Sequence, residues 1–174
     1  MEKSINGGRE VDMHLYLVQH GTAMPKDENP ERPLSDSGRA AVQKVASFLA
    51  RSQLDISGVV HSGKMRAMQS ALLMSETLGP GRVVQECLYP IGPNDPIDLL
   101  CSAIEDGPGE HITGDRMIVG HLPFLSRLVS RLVCGDEEET VVHFKPGTVV
   151  ALERGENGDG WSIMWMVRPE LLGG

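Results

Sequence analysis

The sequence lacks the features that indicate a secreted, membrane-spanning or nucleic-acid-binding protein. Its 174 residues include three cysteines and 16 Lys and Arg against 24 Asp and Glu, for a formal net charge of −8. Cys87, Cys101 and Cys134 fit neither a disulfide framework nor a CxxC metal site, so we predict buried thiols. The negative charge argues against a nucleic-acid partner. No apolar run approaches the roughly 18 residues of a membrane span, so we expect no membrane partner.

The length and composition predict a single soluble domain. The chain is 40% hydrophobic and 23% charged, which is ordinary for a globular protein that buries one core. Residues 1–12, MEKSINGGREVD, have neither the basic nor the apolar region of a secretory signal. We therefore predict a flexible leader over 1–12, one domain over 13–174 and a cytoplasmic location.

Short apolar runs alternate with amphipathic segments along the chain. Strands are predicted over 13–18, 58–60, 82–85 and 117–119, and helices over 39–51, 64–78, 95–104 and about 122–133. Ser35 or Ser37 and then Ser62 are predicted helix N-caps. Strands over 148–153 and 161–167 flank ERGENGDG, a strong hairpin signal. The pattern predicts an α/β fold, a three-layer α/β/α sandwich with a mostly parallel sheet and a C-terminal antiparallel hairpin.

Two histidines and an arginine fall near the carboxyl ends of predicted strands, where open α/β sheets bind ligands. His20 follows the first strand, Arg66 lies one helical turn after the second, and His121 follows the fourth. A neutral imidazole can attack phosphorus, and an arginine binds phosphate oxygens in a fixed fork. A second, protonated histidine would stabilise charge in the transition state, and His121 has the position for it. The glycines beside the histidines, Gly21 and Gly120, either leave a ligand room to approach or are simple turn residues.

Four motifs in order resemble the histidine phosphatase superfamily, related to phosphoglycerate mutase, and within it the SixA-type phosphohistidine phosphatases. The motifs are VQHGTA, ERPLSDSG, HSGKMRAMQS and VGHLPFLSRLV, and the resemblance covers about residues 13–167. It implies that His20 is a nucleophile that becomes phosphorylated and that His121 is the second histidine of the pocket. It also implies that Arg66 and Arg32 bind the phosphate, with no metal and no cofactor. The implied partner is a phosphorylated protein or a small phosphorylated substrate.

The chain departs from this family pattern at several positions. Gln19 stands where the family has an arginine, which replaces a charged phosphate contact by a neutral one, and we expect it to slow a phosphatase by roughly ten- to a hundredfold or more. Gly63 replaces a proline and Ser70 a threonine, both tolerable changes. His61 is an extra histidine, with either a structural role or that of a compensating cation. Glu86 and Asp95 are weak candidates for a general acid, and we expect neither to be essential.

Three functions are consistent with these residues. The first is a metal-independent phosphatase for protein phosphohistidine, acting through a covalent phosphohistidine intermediate. The alternative is a catalytically impaired relative that binds a phosphorylated partner or a small phosphate ester, because of Gln19. A hydrolytic metal site on His20, His61 and His121 is the third, which is disfavoured because no nearby carboxylate or HExxH spacing supports it. Serine nucleophile chemistry is disfavoured because no GxSxG elbow occurs.

Overall fold

A six-stranded sheet forms the centre of the part of the chain that the structure, a computed structural model, describes: residues 13–105, 114–155 and 160–173. The strands lie in the order β3-β2-β4-β1-β5-β6. Their bounds are β1 His14–Gln19, β2 Gly58–His61, β3 Val83–Glu86, β4 Arg116–Gly120, β5 Val149–Arg154 and β6 Trp161–Val167. Neighbours among β1 to β4 pair in parallel, whereas β5 is antiparallel to both β1 and β6. The prediction of a mostly parallel sheet with a terminal antiparallel hairpin is confirmed.

Helices cover both faces of the sheet, because strand side chains alternate between them. The helices are α1 Asp36–Ala50, α2 Met65–Leu78, α3 Asp98–Glu105 and α4 Phe124–Cys134. Leu15 and Leu17 of β1 pack in one apolar cluster with α3 and α4. Tyr16 and Val18 pack in a second cluster with α1 and α2. The three-layer α/β/α arrangement is therefore confirmed. No helix within the described segments is long and apolar enough to cross a membrane.

The helix starts differ in part from the predictions. Ser35 caps α1 as expected, because its side chain accepts a hydrogen bond from the Gly38 N–H. The prediction that Ser62 caps α2 is wrong: Lys64 is the N-cap residue, without a side-chain cap bond. α3 begins at Asp98 rather than at Asp95, because the Asp95 carboxylate accepts from the Gly92 N–H and closes a turn before the helix.

The cysteines differ in exposure, which corrects the prediction of three buried thiols. Cys101 is buried, Cys87 is partly buried and Cys134 is exposed. Cys134 is the last residue of α4, where the chain leaves the core. The predicted leader over 1–12 and the centre of the predicted hairpin turn lie outside the described residues.

Gly38 of α1 packs directly on the backbone of the loop that follows β1. A Cβ atom at Gly38 would lie 2.0 Å from the Thr22 carbonyl oxygen and 2.7 Å from the Thr22 nitrogen. These are backbone atoms, so the contact is relieved only by moving the helix or the loop. Thr22 is two residues from His20, so this contact also helps to fix the position of His20 after the first strand.

We expect Gly38→Ala to lower the free energy of unfolding by about 1–3 kcal/mol, the usual cost of overpacking. Helix propensity alone predicts the opposite sign, a gain of up to about 1 kcal/mol. Urea unfolding followed by circular dichroism measures the change, and Ala40→Gly at an exposed position of the same helix calibrates propensity. A Gly38→Ala protein more stable than wild type would contradict the close contact.

Candidate active site

The carboxyl ends of β1 and β4 bring His20 and His121 together. Gln19 pairs with Gly120 across the two strands, so the residues that follow them, His20 and His121, are neighbours. Their ring centroids are 4.9 Å apart, with the planes tilted by 58°. The register of β1 and β4 thus brings the two histidines together at one edge of the sheet.

His20 is held by hydrogen bonds at both ring nitrogens. Nδ1 lies 2.6 Å from the Gly21 carbonyl oxygen, which only accepts, so Nδ1 carries the proton. Nε2 therefore has a lone pair, and it accepts from Arg66 Nε at 3.2 Å. Burial, with smaller contributions from the charges of Arg66 and Arg32, lowers the pKa of His20 to about 4 against the opposing effect of the Gly21 hydrogen bond. At neutral pH the ring is an uncharged imidazole with Nε2 available as a nucleophile.

Arg66 reaches His20 because α2 is attached to the loop after β1. The Ser70 hydroxyl donates to the Arg66 carbonyl oxygen at 2.8 Å and accepts from the Gly21 N–H at 3.1 Å. Ser70 is completely buried. Burial and the nearby charge of Arg32 lower the pKa of Arg66. One hydroxyl thus connects the first turns of α2 to the segment that carries His20.

Arg32 lies in the loop between β1 and α1, with its backbone in the left-handed region at φ 51°. That conformation is uncommon for a residue other than glycine and is often found at functional sites. The side chain donates from Nε to the Met24 carbonyl oxygen at 3.2 Å. The loop is also held by α2, because the Leu34 N–H donates to Gln69 Oε1 at 2.7 Å. The charge of Arg32 acts on both His20 and Arg66, which places it on the same side of the site.

His121 is 2% exposed, and only one of its ring nitrogens has a partner in the described part of the chain. Nε2 lies 2.5 Å from Ser62 Oγ, whereas Nδ1 has no partner. Burial lowers the pKa of His121 to about 3, aided by His20 and by the charges of Arg66 and Lys64. The structure thus favours a neutral second histidine where the sequence analysis expects a protonated one, because burial among cations favours the neutral ring.

The structure places Gln19 at the end of β1, His61 at the end of β2 and Asp95 in a turn before α3. Gln19 is 9% exposed at the end of β1, and its Oε1 has no partner within the described residues. His61 pairs in register with Val119, two residues before His121 on β4, and its Nδ1 lies 3.1 Å from the Gly63 nitrogen, which donates to it. Burial lowers the pKa of His61. Asp95 is engaged in its own turn through Gly92.

Glu86 lies against the loop between β2 and α2. A Cβ atom at Gly63 would be 2.5 Å from Glu86 Oε1, so the carboxylate covers this glycine. Gly63 has φ 79°, a conformation that a proline, with φ fixed near −65°, does not adopt. A proline at position 63 would therefore not fit the backbone path of this loop.

Protein atoms fill the space on the Cβ side of Gly21 and Gly120, so a ligand does not approach from that side. A Cβ at Gly21 would lie 2.7 Å from the Gly38 carbonyl oxygen and 2.8 Å from Val42. A Cβ at Gly120 would lie 3.3 Å from Leu125. These glycines allow α1 and α4 to approach the strand ends closely.

Ser62 belongs to the site although the sequence indicated only a helix cap. The signal was present in part, because Ser62 comes directly after a strand that ends in His61. Its hydroxyl and His121 do not form a serine triad, since His121 Nδ1 has no orienting partner among the described residues. No group of three or more His, Cys, Asp or Glu side chains within residues 13–105, 114–155 and 160–173 is placed to hold a metal ion. The metal alternative on His20, His61 and His121 therefore has no structural support.

The six-stranded sheet and its flanking helices form the histidine phosphatase fold. A solved structure of the protein histidine phosphatase SixA in complex with tungstate matches with a TM-score of 0.75 and 23% identity, over 92% of this chain and all of that one. An Agrobacterium tumefaciens protein assigned to SixA matches with a TM-score of 0.67 and 17% identity, over 89% of this chain and 97% of that one. A mycobacterial glucosyl-3-phosphoglycerate phosphatase has a TM-score of 0.61 and 14% identity, over 88% and 97%.

Sequence comparison adds a relative without an assigned activity. An uncharacterised protein of Picosynechococcus sp. is 27% identical over 147 residues, which cover 82% of this chain and 86% of that protein. No protein-family model matches the chain.

Proposed function

We propose that this protein is a metal-independent phosphatase that hydrolyses phosphohistidine on a protein through a covalent intermediate at His20. The observation that carries the proposal is the arrangement of His20: Nδ1–H is bonded to the Gly21 carbonyl, and the Nε2 lone pair is held at the Arg66 guanidinium. A neutral nucleophile lies beside a cation that matches phosphoryl oxygens. The fold that the chain shares with SixA supports the same class of reaction.

The proposed reaction has two displacements at phosphorus. The phosphoryl group binds between Arg66 and Arg32, and the Arg66 Nε–H exchanges its bond with His20 for one with a phosphoryl oxygen. The substrate's ring takes up a proton from solvent on its free nitrogen. His20 Nε2 then donates its lone pair to phosphorus, while the P–N bond of the substrate breaks and its electron pair stays on the leaving, neutral imidazole. Water attacks the phosphorylated His20 in the second step. The P–Nε2 bond breaks, and inorganic phosphate and free His20 are formed.

The positions of the two candidate acid groups, Asp95 and Glu86, favour a substrate whose leaving group is a nitrogen. Asp95 is bound within its own turn, and Glu86 is an exposed residue beside Gly63. An alkoxide leaving group needs a well-placed proton donor. An imidazole leaves more easily, because its free ring nitrogen can be protonated from solvent before the P–N bond breaks, so that the leaving group is neutral. We therefore propose phosphohistidine rather than a sugar phosphate as the substrate class.

Gln19 sets the expected speed of this reaction. A neutral amide gives the phosphoryl group weaker hydrogen bonds than an arginine would, by about 1.5 kcal/mol or more. We expect Gln19→Arg to raise the single-turnover rate on a 32P-labelled phosphohistidine protein by roughly ten- to a hundredfold. Gln85→Arg, at an exposed position of the edge strand β3, adds the same charge outside the site and is expected to leave the rate unchanged.

The same assay separates the phosphatase from the binding alternative. Slow turnover by the wild type that accelerates in Gln19→Arg supports the phosphatase. A wild type that binds inorganic phosphate but shows no turnover, together with an inactive Gln19→Arg, would overturn it in favour of a protein that only binds phosphorylated partners.

A further inference from the structure

The Ser62 hydroxyl is free to contact His121 because α2 does not use it as a cap. Ser62 lies in the loop between β2 and α2, and the N-cap position of α2 belongs to Lys64. Its Oγ is 2.5 Å from His121 Nε2, a short distance for an oxygen–nitrogen hydrogen bond. The contact joins the loops that follow two neighbouring strands, β2 and β4.

The surroundings of His121 indicate which ring nitrogen carries the proton. The ring is buried and neutral, so it has one N–H and one lone pair. Nδ1 is buried with no hydrogen-bond partner among the described residues. A buried N–H without a partner is rarer in proteins than a buried acceptor without one. The geometry therefore favours a proton on Nε2 that is donated to Ser62 Oγ.

We propose that Ser62 is a positioning residue that holds His121 as the Nε2–H tautomer, with this N–H directed to the loop before α2. The inference rests on the proposed function, because this N–H changes its acceptor from Ser62 Oγ to a phosphoryl oxygen when the substrate binds. His20 and Arg66 lie on the same side, since the His121 ring is 4.9 Å from that of His20 and Arg66 contacts His20. Ser62 acts through His121 and takes no part in bond making or breaking.

A fixed N–H donor contributes more to catalysis than one that must turn into place. When the substrate arrives, Nε2–H changes its acceptor from Ser62 Oγ to a phosphoryl oxygen, but the ring needs no change of tautomer as negative charge develops. Without the hydroxyl, neither tautomer of the His121 ring is favoured by a partner.

Nitrogen-15 NMR of the histidine rings of the full chain tests the tautomer without any turnover. We expect His121 of the wild type to show a protonated Nε2 and an unprotonated Nδ1, and Ser62→Ala to show a mixture of the two tautomers. Ser62→Thr keeps a hydroxyl and is expected to restore the Nε2–H form. Ser52→Ala, at an exposed position, is the matched control. A wild-type ring protonated on Nδ1 would overturn the inference, whether or not any variant folds.

Single-turnover kinetics then test whether the tautomer matters for the reaction. We expect Ser62→Ala to lower the rate of phosphoryl transfer by about three- to tenfold, the effect of one hydrogen bond, and Ser62→Thr to recover it. A mixed tautomer with an unchanged rate would contradict the positioning role. If the wild type proves inactive on phosphohistidine, the NMR result still decides the role of Ser62, and only the proposed function falls.

Discussion

Replacing His20 with alanine is expected to lower the turnover of a phosphohistidine protein by about 10⁴-fold or more, the scale of losing a nucleophile. The structure leaves His20 Nε2 as a lone pair beside Arg66, because Nδ1–H is bonded to the Gly21 carbonyl. The wild type, quenched during turnover with labelled substrate, is expected to carry acid-labile phosphate on His20. His20→Ala is expected to carry none.

The matched control for this experiment is His143→Ala. His143 is exposed and lies after α4, outside the site, so we expect full activity and normal labelling. Labelled phosphate on His121 or Ser62 in the wild type would show that the nucleophile has been assigned to the wrong residue. Binding of inorganic phosphate to His20→Ala, followed by NMR, confirms that the pocket remains folded.

Replacing Arg66 with glutamine is expected to lower the rate by about 10²- to 10³-fold, because two charge-assisted hydrogen bonds to the phosphoryl group are lost. Arg66→Lys keeps the charge but not the forked pair of donors, and its rate is expected to lie between those of the wild type and Arg66→Gln. Arg39→Gln, at an exposed position of α1, removes the same charge elsewhere and is expected to have no effect. A loss smaller than tenfold in Arg66→Gln would contradict the role of Arg66 as a phosphate ligand.

The pH profile of Arg66→Gln gives a second, independent result. The positive charge of Arg66 helps to lower the pKa of His20 to about 4 in the wild type. Without that charge the pKa of His20 rises, so the protonated, non-nucleophilic fraction at pH 5 to 6 increases. We therefore expect the rate of Arg66→Gln to fall at a higher pH than that of the wild type as the solution is acidified.

Local sequence patterns predicted the parts of the site that depend on chain order. β1 and β4 each end in a buried apolar run followed by a histidine, and the alternation of strands and helices brings parallel strand ends to one edge of the sheet. His20 and His121 could therefore be placed together before any coordinates were known. Arg66 followed from its place one turn into a helix that starts at the same edge.

The remaining features depend on contacts between distant segments. The hydrogen bond between Ser62 and His121 joins residues 59 positions apart, and no periodic pattern in the sequence indicates it. The burial of the His61 side chain depends on the strand register, which pairs His61 with Val119. The role of Gly21 and Gly120 stayed open between ligand approach and a simple turn because the sequence does not reveal which helix packs there.

The two neutral histidines make the binding of an anion a proton-linked event. Burial and neighbouring cations hold the pKa values of His20 and His121 at about 4 and about 3, and a phosphoryl dianion beside them acts in the opposite direction by favouring the charged rings. Any proton taken up on binding strengthens the complex as pH falls and weakens it as pH rises. Inorganic phosphate, the proposed product, is subject to the same linkage, so its release becomes easier in more alkaline solution.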